Sequence, residues 1–101
     1  MAVLAKTLCT AVAVPGVQVA VDLAALSRSL TMQVTTGGVT PDPNVTVQLQ
    51  GSLDNVNFFG IGQVVGPKWL SVDEDVIQYA RANVTAIASG TVTVLLGYVP
   101  G

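Results

Sequence analysis

Asp73-Glu74-Asp75 is the densest run of ionisable groups in the chain, and adjacent carboxylates are the oxygen donors that hold calcium. Consecutive residues on an extended chain point to opposite faces, however, and the regular ligand spacing of a calcium loop is missing. The run therefore reads as a solvated loop, or as a charge lock against a basic partner. Glycoside hydrolysis would need two acids facing one cleft, whereas the acids here are scattered over turns. Cys9 is the lone cysteine and no histidine exists to join it, which removes an internal disulfide, a Cys–His nucleophile and a zinc site. Cys9 is expected to be a small buried hydrophobe. The sequence thus leads us to expect no catalytic residue, no metal and no cofactor; an enzyme ranks last among the functions considered.

The aromatic residues are Phe58, Phe59, Trp69, Tyr79 and Tyr98. Phe58 and Phe59 are consecutive in a strand pattern, so one of them must face away from the core, where an aromatic is a candidate interface anchor. Trp69 and the other Phe are expected in the core. In QYARANVTAI, Tyr79, Arg81 and Asn83 share one face and Ala80, Ala82 and Val84 the other. Arg81 is expected to be solvated, as a long cation on a strand usually is, or to pair with Asp54 or with the acidic run at 73–75. Asn44-Val45-Thr46 and Asn83-Val84-Thr85 match the glycosylation triplet, which carries little weight without a secretory signal.

These residues need elements to hold them. A chain of 101 residues allows one domain. Val occurs 19 times, Thr 10 and Ile 3, and β-branched side chains favour a pleated surface. Val17, Val19 and Val21 alternate with Gln18, Ala20 and Asp22; Leu30, Met32 and Val34 alternate with Thr31, Gln33 and Thr35; Val45, Val47 and Leu49 alternate with Thr46, Gln48 and Gln50. Turn residues cut the chain at Pro15-Gly16, Gly37-Gly38, Pro41 to Asn44, Asp54-Asn55, Gly66-Pro67 and Ser89-Gly90. The expectation is an all-β domain of about eight strands, at 3–14, 17–23, 29–36, 45–53, 57–65, 69–73, 77–86 and 91–99: an antiparallel sandwich or barrel, with jelly-roll order as one arrangement. The strand at 91–99 carries apolar residues on both faces and should be central or covered by a partner. Val21 to Ser29 is the sole helical candidate, one turn at most. Asp54-Asn55 is expected at a hairpin tip, because Asp bonds its own backbone two residues on and Asn tolerates positive φ.

The opening MAVLAKTLCTAVAVPG imitates a signal peptide, but Lys6 lies inside the apolar stretch, and the segment is expected to stay with the folded chain. Residues 1–14 are either an edge strand of the sheet or an arm that adds to a neighbouring subunit by strand pairing. No run of eighteen apolar residues exists, so no membrane helix is expected. Charged residues make up 10% of the chain against roughly 25% in a typical soluble domain, so much of the surface must be uncharged and burial against other chains is expected. A net charge of -2 offers no basic field for nucleic acid.

The series SLTMQVTT, VTVQLQGSLDNVNFFGIG and YARANVTAIASGTVTVLLGYV resembles small β-sandwich virion proteins of tailed bacteriophages. In those proteins a strand ending Gly-Ser-Leu-Asp-Gly runs into an Asn-Trp-Phe strand, and a later Arg-Ala-Asn-Val-Thr strand precedes Ser-Gly-Gly-Thr-Val. Gly51, Ser52, Leu53, Asp54, Asn57, Phe59, Arg81, Asn83, Val84, Thr85, Gly90, Thr91 and Val92 match. Asn55 stands where Gly is usual and Phe58 where Trp is usual. The resemblance covers residues 29 to 99 and is best fitted by the head decoration, or cement, proteins. It implies a homo-oligomer, a trimer by preference, bound to the major capsid protein on the outer surface of the phage head after synthesis in the bacterial cytoplasm. The contact elements expected are Ala2, Val3, Leu4 and Leu8 of the arm, Phe58 or Phe59, and Asp73, Glu74 and Asp75. The alternative is a tail-associated or host-carbohydrate-binding β-sandwich module.

Overall fold

The computed structural model describes residues 4–37, 45–73, 75–87 and 90–100. They form eight strands: β1 Leu4–Val12, β2 Gly16–Val17, β3 Val21–Gly37, β4 Val45–Ser52, β5 Phe59–Val65, β6 Trp69–Val72, β7 Ile77–Ile87 and β8 Thr91–Pro100. All pair antiparallel in one sheet whose main order is β1-β8-β3-β7-β4-β5, with β2 added to β7 and β6 to β3. Two four-strand runs can be traced through it, β1-β8-β3-β6 and β2-β7-β4-β5. β8 is central, flanked by β1 and β3.

β3 joins the two runs. Its first residues pair with β7, Val21 opposite Ala80 and Asp22 opposite Tyr79; from Ser27 onward it pairs with β8. The crossing explains the segment that looked helical. Asp22 Oδ1 accepts the Ala24 amide at 2.7 Å, Ala24 turns through a left-handed φ of 69°, and Ser29 does so again at 51°. A short local acceptor and two left-handed residues bend a strand without breaking it. Ser27, fully buried at the bend, satisfies its hydroxyl by donating to the Ala25 carbonyl at 3.0 Å.

The core follows from the alternation. Leu30, Met32, Val34, Val45, Val47, Leu49, Ala82, Val92, Val94 and Leu96 are buried at every second position of their strands and belong to one cluster. The described residues include no helix, so these apolar side chains are buried among strands of the one sheet. The Cα radius of gyration, 12.9 Å, is that of a compact chain of this length.

Three expectations are corrected and one open alternative is decided. The strand expected at 17–23 is interrupted, with β2 ending at Val17 and β3 starting at Val21. Val17 lies opposite Asn83, an outward position of β7, and this register leaves Val17 and Val19 exposed. Trp69 is not in the core: it is 68% exposed, because β6 aligns it with Gln33 on the outward side of β3 while Leu70 and Val72 point in. Among the described residues the aromatic in the core is Tyr98. Of the two readings given for the N-terminal segment, residues 4–12 take the edge strand, paired with β8. A register shift between Thr7 and Cys9 turns both Leu8 and Cys9 inward, so Leu8 serves the core and is closed to a partner.

Candidate functional site

The site is built from the loop between β4 and β5. Ser52 is buried at the end of β4, and its hydroxyl accepts the Asp54 and Asn55 amides at 3.2 and 3.0 Å while donating to Asp54 Oδ1 at 2.8 Å. Asp54 Oδ1 also accepts the Val56 and Asn57 amides at 2.9 and 2.8 Å, and Oδ2 accepts from Asn57 Nδ2 at 2.9 Å. Asn55 takes φ 62°. The reversal expected at Asp54-Asn55 is therefore present, wider than a two-residue hairpin, since β5 resumes only at Phe59. So many donors on one carboxylate favour its ionised form, the Asn57 and Val56 amides most, and hold Asp54 well below the usual aspartate range.

Beneath this loop runs a groove of about 530 Å³ that gathers Asp54, Phe59, Ile61 and Asp75. Leu53 and Phe59 line it beside the two acids, 64 and 68% exposed, and Val56 stands 77% exposed on the same loop. At its base Gly51 leaves room for Ile77: a Cβ at residue 51 would meet Ile77 Cγ2 at 2.5 Å. Of the residues singled out in the sequence, Asp54, Phe59 and Asp75 are thus brought together. Asp73 is exposed and lines a neighbouring groove with Asp75 and Leu70. Leu4 is exposed at the start of β1, in the other run. Ala2, Val3 and Glu74 lie outside the described residues. Among the described residues no three His, Cys, Asp or Glu side chains stand close enough to hold a metal ion.

Phe58 and Arg81 are partners. The guanidinium carbon sits 4.0 Å from the Phe58 ring centroid, and Arg81 Nε donates to Gln50 Oε1 at 2.6 Å. Arg81 thus has Phe58 and Gln50 as its partners, an arrangement that half-buries Phe58 and leaves Phe59 as the outward aromatic. Gln50 in turn donates to Gln48 Oε1 at 2.8 Å, and Asn83 Nδ2 approaches the same oxygen at 3.4 Å. The result is an amide ladder across β4 and β7. Cys9 is buried, and burial pushes its thiol pKa up, away from the reactive thiolate.

Sequence reasoning missed Leu53 and Val56 as surface residues and Trp69 as an exposed one. For the first two the signal was present: apolar residues on either side of an Asp-Asn turn must emerge with the turn. Comparison with known proteins finds no family model, no curated protein and no solved structure that matches this chain.

Proposed function

We propose that this protein is a structural virion component that decorates the outside of a phage head as an oligomer and stabilises the shell. The observation that carries the proposal is the exposure of Leu53 and Val56 on a hydrogen-bonded loop and of Phe59 just after it, in a chain with only 4 Lys+Arg and 6 Asp+Glu. Large apolar side chains held rigidly at a surface tip lose little conformational freedom on docking, and an exposed aromatic is the usual centre of a contact. Asp54 and Asp75 beside them suit a basic rim on the capsid protein.

The jelly-roll reading belongs to the same proposal. It is supported by the two runs β1-β8-β3-β6 and β2-β7-β4-β5, the pairing that two interleaved Greek keys produce, in an architecture that viral capsid domains often use. Each protomer offers a modest contact. A trimer would engage several capsid subunits at once, so avidity multiplies weak affinities, and selective binding to the expanded shell resists its opening by mass action.

The test is to mix the purified protein with matured capsids lacking decoration, sediment them, count bound copies and follow the capsid melting temperature. Saturation at one trimer per local three-fold site with a raised melting temperature supports the proposal. Absence of binding by a stable oligomer defeats it. Val56→Asp and Phe59→Ser change exposed positions and should abolish binding while leaving the protein's own melting unchanged. Deleting residues 2 to 10 would not test docking cleanly, because it removes most of β1 and the core side chain of Leu8.

A further inference from the structure

We infer that the outer face of β1, β8, β3 and β6 carries a subsite for a neutral saccharide, centred on Trp69. The strand registers set two rows of side chains across this face. One runs Thr7, Leu95, Gln33, Trp69 and the next Ala5, Gly97, Thr31, Ser71. Small Ala5 and Gly97 leave the second row low, and a groove of about 360 Å³ opens between them, Trp69 and Leu95. Thr31 and Gln33 supply a hydroxyl and a carboxamide to its lining.

The chemistry selects the ligand class. None of the lining residues is charged, so the groove itself holds no cation for a phosphate, a sulfated glycan or a nucleic acid; Lys68 lines the neighbouring groove that shares Trp69. Trp69 is 68% exposed, yet Gln33 stands between it and Leu95 in the row, so the apolar area is interrupted as the centre of a protein contact seldom is. An isolated indole with an amide and a hydroxyl at its side matches a pyranose, which has an apolar C–H face and a rim of hydroxyls that both donate and accept. Trp is suited to such ligands because it combines a large flat apolar area with a polar N–H. The volume is at the small end of ligand pockets, about 300–1,000 Å³, and fits one or two sugar units of a longer chain. This inference stands independently of head decoration.

Trp69 is the one tryptophan in the chain, so its fluorescence reports on its own surroundings, and a substitution at Gly97, which lines this groove and not the neighbouring one at Pro67 and Lys68, assigns the response to it. The full-length protein is titrated with maltohexaose, cellohexaose and chitohexaose, and with dextran sulfate as a charged control. The expected result is a saturable change in emission with at least one neutral oligosaccharide and none with dextran sulfate. Gly97→Leu should weaken that response at least about tenfold. A Cβ there meets nothing nearer than 3.8 Å, so the new side chain fills the groove, and an unchanged thermal melt would show the fold intact. Trp69→Ala, followed by saturation-transfer NMR, should lose the sugar signal. The inference is overturned if no neutral oligosaccharide alters emission up to its solubility limit, if Gly97→Leu responds like the parent, or if dextran sulfate binds best. A blue shift produced by raising protein concentration alone would also overturn it, assigning the face to a second copy of the chain.

Discussion

The two outer faces of the molecule are made from the same strand chemistry and end in opposite conditions. On β4 and β7, Gln48, Gln50, Arg81 and Asn83 are long enough to reach one another, and they close into a ladder with Phe58 under the guanidinium. On β8 and β3 several outward positions are threonines, and two of them turn their hydroxyls back to backbone carbonyls, Thr35 to Thr93 and Thr91 to Gly37, each at 3.4 Å. There the long side chains, Gln33 and Trp69, line a groove. Reach decides which face is finished within the chain. Where side chains satisfy each other a surface has little to offer a partner; where they cannot, polar groups and an aromatic remain for one.

The comparison can be tested from both sides. The largest effect should come from β8, whose adjacent residues divide the inside from the outer face. Leu96→Ala empties a fully buried position and should cost about 2–5 kcal/mol in chemical denaturation. Leu95→Ala, one residue away and outward, should stay within about 0.5 kcal/mol. If the two cost the same, Leu95 is not part of an open groove. Gly51→Ala forces Ile77 aside beneath the Asp54 loop and should cost about 1–3 kcal/mol by the same measurement. An unchanged midpoint would mean that the loop base is loosely packed.

Arg81→Ala removes the cation over Phe58 and the donor to Gln50, and should cost about 1–2 kcal/mol, with Arg81→Lys recovering only part. Trp69→Ala should leave stability unchanged, although it removes the larger side chain. Equal losses at the two sites would erase the distinction between a closed and an open face.

The smallest effect is the pH dependence of the Asp54 loop. Its carboxyl is held well below the usual range in the folded state, first by the Asn57 and Val56 amides. Depressed in this way, it contributes stability that is fully present above the unfolded value, about 3.9, and is lost as pH falls through the folded value. Melting temperature should therefore drop on acidification from about pH 5 toward 2, and Asp54→Asn should flatten that drop. Parallel curves for parent and variant would mean that the loop does not depend on the charge.

Much of this was legible along the chain. The strands at 45–53, 69–73, 77–86 and 91–99 were placed within a residue of β4, β6, β7 and β8, because alternation and turn residues are local signals. The Asp54-Asn55 reversal was legible for the same reason, since an Asx acceptor and a positive φ belong to single residues. Three positions were not: Val17, Leu8 and Trp69. Each sits in an apolar pattern that says one side is buried without saying which, and register then chose. Asn83 across from Val17 turned it outward, the shift after Thr7 turned Leu8 inward, and Gln33 across from Trp69 put the indole in solvent.

By itself, then, the sequence determined that the chain is all-β, that its core is built at alternate positions, and where it reverses. These follow from side-chain shape, period-two alternation and turn chemistry, all of which act between neighbours in the chain. The tertiary structure alone decided that β3 runs from β7 to β8 through a bend, that Asp54, Phe59 and Asp75 meet in one groove, and that Trp69 faces outward. Those outcomes depend on which strands pair and at what offset, and a slip of one residue exchanges the two faces while leaving every local preference satisfied.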